Sequence, residues 1–211
     1  DINRYITARG IEWTNKKTFI IGISETVIYS GLNRNFDIGY YNPISSHLEI
    51  ELNNRLNRLG DASSNAVWQI HSEIFFKKKV RLSINYLYDE FVLDPKIQIG
   101  KENGKAFSYR IATTVKNNEF YLLTFYGQHI YVGTPTFRHG KGSNNFVNNK
   151  KPLGWTNGSD AQEVSLGFNY YDKTSLYWAI KSGIYWSGDE NIKNRVFDPY
   201  SDYLKGIFPS G

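Results

Sequence analysis

The stretch "NAVWQIHSEIFFKKKVRLSINYLY", residues 65–88, decides how the chain is read. Ahead of the lysines, Ala66, Trp68, Ile70, Ile74 and Phe76 share one parity, while Val67, Gln69, His71 and Glu73 take most of the other. Beyond them, Val80, Leu82, Ile84, Tyr86 and Tyr88 alternate with Arg81, Ser83, Asn85 and Asp89. Period-two alternation on both sides of a short polar link predicts a β-hairpin. Pairing Phe76 with Val80 puts both apolar sets on one face, as a hairpin requires. Lys77, Lys78 and Lys79 then read as a solvated turn, not as a patch that grips phosphate.

The same pattern recurs along the chain. "AQEVSLGFNYY" and "SLYWAIKSGIYW" flank "DKT", "AFSYRIATTV" and "FYLLTFYGQHIYV" flank "KNNE", and "RYITARGIEW" and "TFIIGISETVIYSG" flank "TNKK". In the third of these pairs of strands, at the start of the chain, Arg9 and Glu25 interrupt apolar parities. They fit a bulge, a mutual pairing, or a strand that faces protein on both sides. In "FYLLTFYGQHIYV", Thr124 and Gln128 fall among apolar positions, so that strand is mixed.

The connections sort into two kinds. Links within hairpins are short and mostly lysine-bearing, whereas those between hairpins are long, near 31–64, 94–104, 133–160 and 188–211. Loops above about 12–15 residues are uncommon in compact soluble domains. Here they alternate strictly with tight turns, which places all turns at one end of an up-and-down sheet and all long loops at the other. Outer-membrane barrels have that asymmetry, and a β-sandwich has no reason for it. The expected fold is therefore all-β, an antiparallel up-and-down transmembrane β-barrel. About eight strands lie in this chain, residues 1–211 forming a segment of a single, larger barrel. Within the 31–64 connection, "SSHLEIELNNRLNRLG" fits a short helix after a Ser cap or a strand extension equally well.

Composition is compatible with this. Sixteen Tyr, thirteen Phe and five Trp make up 16% of the chain, many near strand ends, where amphipathic rings settle at a membrane interface. Mean hydropathy is on the polar side, but a barrel hides only every second residue in lipid. The excess of 25 Lys and Arg over 20 Asp and Glu is too dilute to imply nucleic acid. Absence of cysteine excludes disulfides and thiolate chemistry. The opening "DINRYITARG", without Met or an apolar leader, reads as a processed or truncated chain.

Little in the chain points to catalysis. His47, His71, His129 and His139 do not share metal-ligand spacing, "GKGSNN" lacks the context of a phosphate loop, and adjacent Asp89 and Glu90 point to opposite strand faces. No enzyme activity, metal or cofactor is expected. The 133–160 loop is more informative, because Phe137, Arg138, Asn144, Asn145, Phe146 and Trp155 combine planar rings with amides and a guanidinium. Rings over sugar faces with such hydrogen bonds would bind carbohydrate, an acidic one if the cations take part. Alternatively the aromatics pin the loop to a barrel mouth and the asparagines serve turns.

"TARGIEW" (7–13), "ISETVIYSG" (23–31), "YYNPISSHLEIELNNR" (40–55), "NAVWQIHSEI" (65–74), "NYLYDEFVLD" (85–94) and "GKENGKAFSYR" (100–110) together resemble the Wzi-type capsule-assembly outer-membrane proteins, closest to the gliding-motility branch. The motif residues are Ser24, Glu25, Tyr29, Gly31, Asn42, Pro43, Asp89 and Glu90. The resemblance implies a non-enzymatic barrel in the outer membrane of a Gram-negative cell, its long loops at the cell surface. It also implies partners among outer-membrane lipid, capsular or other surface polysaccharide and other envelope proteins, with a role in adhesion or motility for the gliding branch. Two other functions fit the sequence: a structural subunit of a motility or secretion complex whose loops bind protein, and a soluble β-sandwich carbohydrate-binding domain. The sandwich would bury Val80, Leu82, Ile84 and Tyr86 against a second sheet.

Overall fold

The computed structural model describes residues 1–51, 64–77, 79–89, 103–172 and 174–198. Eight strands form one antiparallel sheet in chain order: β1 (Ile2–Thr14), β2 (Phe19–Leu32), β3 (Ser64–Phe76), β4 (Val80–Tyr88), β5 (Lys105–Asn117), β6 (Tyr121–Val132), β9 (Ala161–Asp172) and β10 (Tyr177–Ser187). The two-residue strands β7 (Val147–Asn148) and β8 (Lys151–Pro152) make a small hairpin inside the 133–160 loop. Each strand is hydrogen-bonded to its neighbours in sequence, so the tight turns all sit at one end (the turn end) and the long connections at the other (the loop end). The sheet is open, because no ladder joins β1 to β10 among the described residues.

Turn chemistry explains the short links. The Asn15 side chain accepts from the amides of Lys17, Thr18 and Phe19 at 3.0, 2.8 and 3.1 Å, and Asn118 accepts from Phe120 and Tyr121 at 3.0 and 2.8 Å. These Asx turns satisfy amides that no ladder reaches. In the lysine turn, Phe76 lies opposite Val80 as expected, Lys79 N–H donates to the Phe76 carbonyl at 3.0 Å, and Lys77 and Lys79 are exposed. A bulge between Thr114 and Lys116 carries β5 as far as Asn117, beyond the expected start of its turn.

The register defines two chemically opposite faces. One runs through Ile11, Ile23, Ile70, Tyr86, Phe107 and Tyr131, and a strand-step away through Ile84, Tyr109, His129, Val164 and Ile184. Much of it is uncovered: Ile11 is 70%, Ile184 61%, Ile70 52% and Ile84 41% exposed. Ile84 and Tyr86 are therefore not packed beneath a second large sheet. Aromatic side chains border this face, with Trp13 against Phe19 at 4.7 Å (ring centroids) and Phe76 near the turn end, and Trp68, Tyr131 and Trp186 toward the loop end. Eight residue steps separate Trp68 from Phe76, about 26 Å along the strand.

The opposite face is polar toward the turn end. There Glu73 pairs with Arg81 and Glu12 with His71 at 3.1 Å, while Glu163, nearer the loop end of the same face, pairs with Lys181 at 2.5 Å. Toward the loop end this face becomes a core in which Ile28, Val67, Ala106 and Val132 pack with Phe137, Phe146, Val147 and Ile192. Ile28 and Val132 stand on strands four places apart, so one compact cluster can touch both only if the sheet curls toward its polar face. The mixed pattern of β6 has its reason here: Ile130 and Val132 share a parity with Gln128 because the loop core covers their end of the strand. No helix among the described residues is long and apolar enough to cross a membrane, which says nothing of a span built from strands.

Candidate functional site

The 133–160 loop and residues 188–198 fold together onto the polar face and plug its loop end. Asp160 joins them. Its carboxylate accepts from the Thr134 hydroxyl at 2.8 Å and the Glu190 amide at 3.0 Å, and its carbonyl accepts from Gly188 N–H at 2.7 Å. Asp160 holds a positive φ of 52°, which aspartate tolerates better than most residues.

The residues expected to meet a ligand are mostly inside this plug. Phe137, Arg138, Asn144, Asn145 and Phe146 are all buried, and only Trp155 among the six is partly exposed. Asn144 accepts from the Ser30 hydroxyl at 2.6 Å, tying the plug to β2. Asn145 accepts from the His139 amide at 2.8 Å and donates to the carbonyls of Val196 and Asp198 at 3.2 and 3.0 Å. Arg138 donates to the Glu190 carbonyl, and its guanidinium lies 3.7 Å from the Glu190 carboxylate, whose other oxygen is 3.4 Å from Arg195. Burial pulls the Arg138 pKa down and the Glu190 charge opposes that pull. Arg4, from β1, donates to the carbonyls of Asn145 and Val147. These side chains hold the loop in place.

Phe137 marks the tightest point. Its φ is +72°, its amide donates to the Asp89 carboxylate, and a Cβ on Gly154 would overlap its ring. Asp89, one of the motif residues, thus positions the loop, while Glu90 lies outside the described residues.

Of the other motif residues, Glu25, Tyr29 and Gly31 share the apolar face, beneath residues 34–47, while Ser24 takes the opposite parity. Tyr29 stacks between Tyr5 and Tyr40 at centroid distances of 5.2 and 4.5 Å, with the Arg34 guanidinium 4.8 Å over its ring. A one-turn 3₁₀ helix, Ile38–Tyr41, carries Tyr40 there. Gly31 lies against Arg34, and a side chain at Gly31 would crowd it. The Asn42 side chain accepts from Ile44 N–H at 3.0 Å, making the turn at Pro43. Residues 47–51 are helical, with the Ser46 hydroxyl accepting from Glu49 N–H at 3.2 Å, so the helix is the conformation taken there; 52–63 lie outside the described residues. Ser24 lines a groove between this turn and Ile11, Ile23 and Ile70.

A cavity of about 310 Å³ opens on the polar face just under the plug. Trp155 and Phe137 form its loop side, and Gln69, Asn85 and Ser108 its sheet side. Those three link in a ladder, Gln69 donating to Asn85 at 3.1 Å and Asn85 to Ser108 at 3.2 Å. Trp155 is braced edge-on by Tyr185, centroids 6.0 Å apart. An indole opposite amides and a hydroxyl is suited to a sugar, with ring faces for its C–H surfaces and fixed donors and acceptors for its hydroxyls. Of the six sequence candidates, Phe137 and Trp155 line this cavity, and Gln69, Asn85 and Ser108 were not among them. Their one signal was three uncharged polar residues on the strand parities opposite the apolar set. Among the described residues no three His, Asp or Glu side chains converge as a metal site would need.

Comparison of the chain with protein-family profiles, with curated proteins and with solved structures finds no match.

Proposed function

We propose that this chain is a segment of an outer-membrane β-barrel that binds surface polysaccharide at its loop end, without catalysing a reaction. The observation that carries the membrane assignment is the inverted sheet: large apolar side chains stand uncovered on one face while ion pairs and amide ladders line the other. Soluble proteins rarely leave a contiguous apolar surface of this extent open to water, and lipid is the solvent that suits it. The β-strand from Trp68 to Phe76 runs about 26 Å, in keeping with an apolar band about 25 Å tall between aromatic girdles. Further strands between β10 and β1 would complete the barrel. The polysaccharide assignment rests on the Trp155 cavity and on the resemblance to capsule-assembly proteins; that resemblance also favours a part in surface adhesion or gliding.

The test has two arms. An epitope inserted in the exposed turn at Asn149 and Lys150 should be labelled on unbroken cells, and one replacing residues 77–79 only after the envelope is opened. Labelling of neither tag before lysis, with extraction in plain buffer, would overturn the barrel. In detergent, the full protein should bind host surface polysaccharide, and Trp155→Ala should weaken it about tenfold, the loss of one aromatic platform. Equal binding by Trp155→Ala would remove the site.

A further inference from the structure

A second cleft, of about 390 Å³, lies on the polar face near the turn end, away from the plug. Arg81, Arg110 and Lys79 line it, with hydroxyls from Ser83, Thr114 and Thr124. Arg81 has a carboxylate partner, Glu73. The Arg110 guanidinium carbon instead lies over the Tyr126 ring, 3.7 Å from its centroid. Gly167 is what allows this: it stands opposite Tyr126 in the ladder, and a Cβ there would overlap the phenol ring. A glycine thus lets Tyr126 lie down across the sheet, and Tyr126 in turn supports the Arg110 guanidinium.

A guanidinium held over a ring in a cation–π contact still carries its fork of N–H donors, the group that grips a carboxylate by two parallel hydrogen bonds, and Arg110 lines the cleft. Around it, three cations face one carboxylate, leaving the cleft positive, and three hydroxyls sit within the same walls. The volume is within the range of about 300–1,000 Å³ common to small-ligand sites. We propose that this cleft is a second glycan site, at the end of the sheet opposite the plug, and that it binds the carboxylate of an acidic sugar unit reaching it from the side of the tight turns, so that a glycan taken by this protein is a uronate-bearing one. The inference rests on the polysaccharide reading above and names its substrate class. Arg110 is the residue that recognises the carboxylate, the hydroxyls meet sugar hydroxyls, and Gly167 and Tyr126 are positioning residues.

The probe is tetragalacturonate, titrated calorimetrically into the full protein in detergent, with maltotetraose and inorganic phosphate as comparators. Tetragalacturonate should bind, weaken with added salt, and weaken about tenfold in Arg110→Gln, as the loss of a bidentate contact requires. Arg110→Lys, which keeps the charge and so guards against a folding artefact, should lose most of the same affinity because it lacks the fork. Maltotetraose should be indifferent to both changes. Tetragalacturonate affinity unchanged in both variants would overturn the proposal, as would phosphate binding as tightly as tetragalacturonate, which would mark a site for any anion. Should neutral glycans bind and respond to Trp155→Ala while tetragalacturonate ignores Arg110, the cleft assignment fails and the polysaccharide reading stands. If no glycan binds the wild-type protein, both fail.

Discussion

Arg9 and Glu25 stand opposite one another across the β1–β2 ladder, and Arg9 Nε donates to the Glu25 carboxylate at 2.6 Å, on the face otherwise given to apolar side chains. The pair is roofed by residues 42–47. Arg9 also donates to the Asn42 carbonyl, and Glu25 accepts from the His47 amide at 3.1 Å. With side chains only 14% and 8% exposed, the two charges are largely out of water, each holding the other and part of the loop.

Removing one partner strands the other. Glu25→Ala or Arg9→Ala should each destabilise the folded protein by about 3–5 kcal/mol, and the double change to apolar residues of similar size should recover most of that. Denaturant titration of the four proteins in detergent measures the coupling directly. Additive single effects would mean that the pair acts only through the loop.

Two adjacent positions should separate the faces. Ile84→Arg places a cation in the middle of the apolar face and should cost about 2–4 kcal/mol of folding in a bilayer. Asn85→Arg, one residue on, points to the polar face and should cost far less. Urea titration of the two variants folded into lipid vesicles gives both values, and equal costs would remove the assignment of the apolar face to lipid.

Most of the sheet was legible in the sequence because strand parity and turn chemistry are local. The Phe76–Val80 closure, the four hairpins and the separation of short from long links all follow from residues within a few positions of each other. The role of Arg9 and Glu25 was not legible, since its cause is a loop whose Asn42 and His47 return to the sheet from 33 and 22 positions away. The packing of the loop residues was not legible for the same reason. Phe137, Asn144 and Asn145 have the chemistry of a sugar site, but their partners, Asp89, Ser30 and Val196, are distant in sequence, and those contacts bury them. Trp155 is partly exposed and meets Tyr185 edge-on.

Gly154→Val should disturb the plug. The added branched side chain meets the Phe137 ring, itself held by Asp89 and by a left-handed backbone. Overpacking of this kind costs about 1–3 kcal/mol. Limited proteolysis within residues 133–160 should speed up in the variant, while the strand core stays resistant. Unchanged cleavage would show that the ring has room to move.

The plug should also loosen with acid. Burial holds the His139 imidazole below its ordinary pKa of 6.5, and its Nδ1 accepts the Lys141 amide at 3.0 Å, a bond that a protonated ring cannot accept. An opened loop binds the proton more readily than the closed one. The closed state is therefore fully favoured above pH 6.5 and loses ground as the pH falls below it toward the depressed value. Amide exchange at residues 137–147 should rise between pH 7.5 and 5 beyond the intrinsic dependence of exchange, and His139→Gln should abolish the excess. An identical profile in the variant would assign the effect elsewhere.

The plug's hydrogen bonds join residues far apart in the chain, Ser30 to Asn144 across 114 positions and Arg4 to Val147 across 143. Each hairpin, by contrast, closes through a turn of a few residues. Loop-closure entropy grows with the length of chain enclosed, so local pairs form cheaply and distant ones must wait for the chain between them to be ordered. The plug therefore comes last in the order of assembly. Strand pairs can be added to the sheet one after another while the loop end is still open, and the final seal is made only when the first and last of these hairpins are both in place.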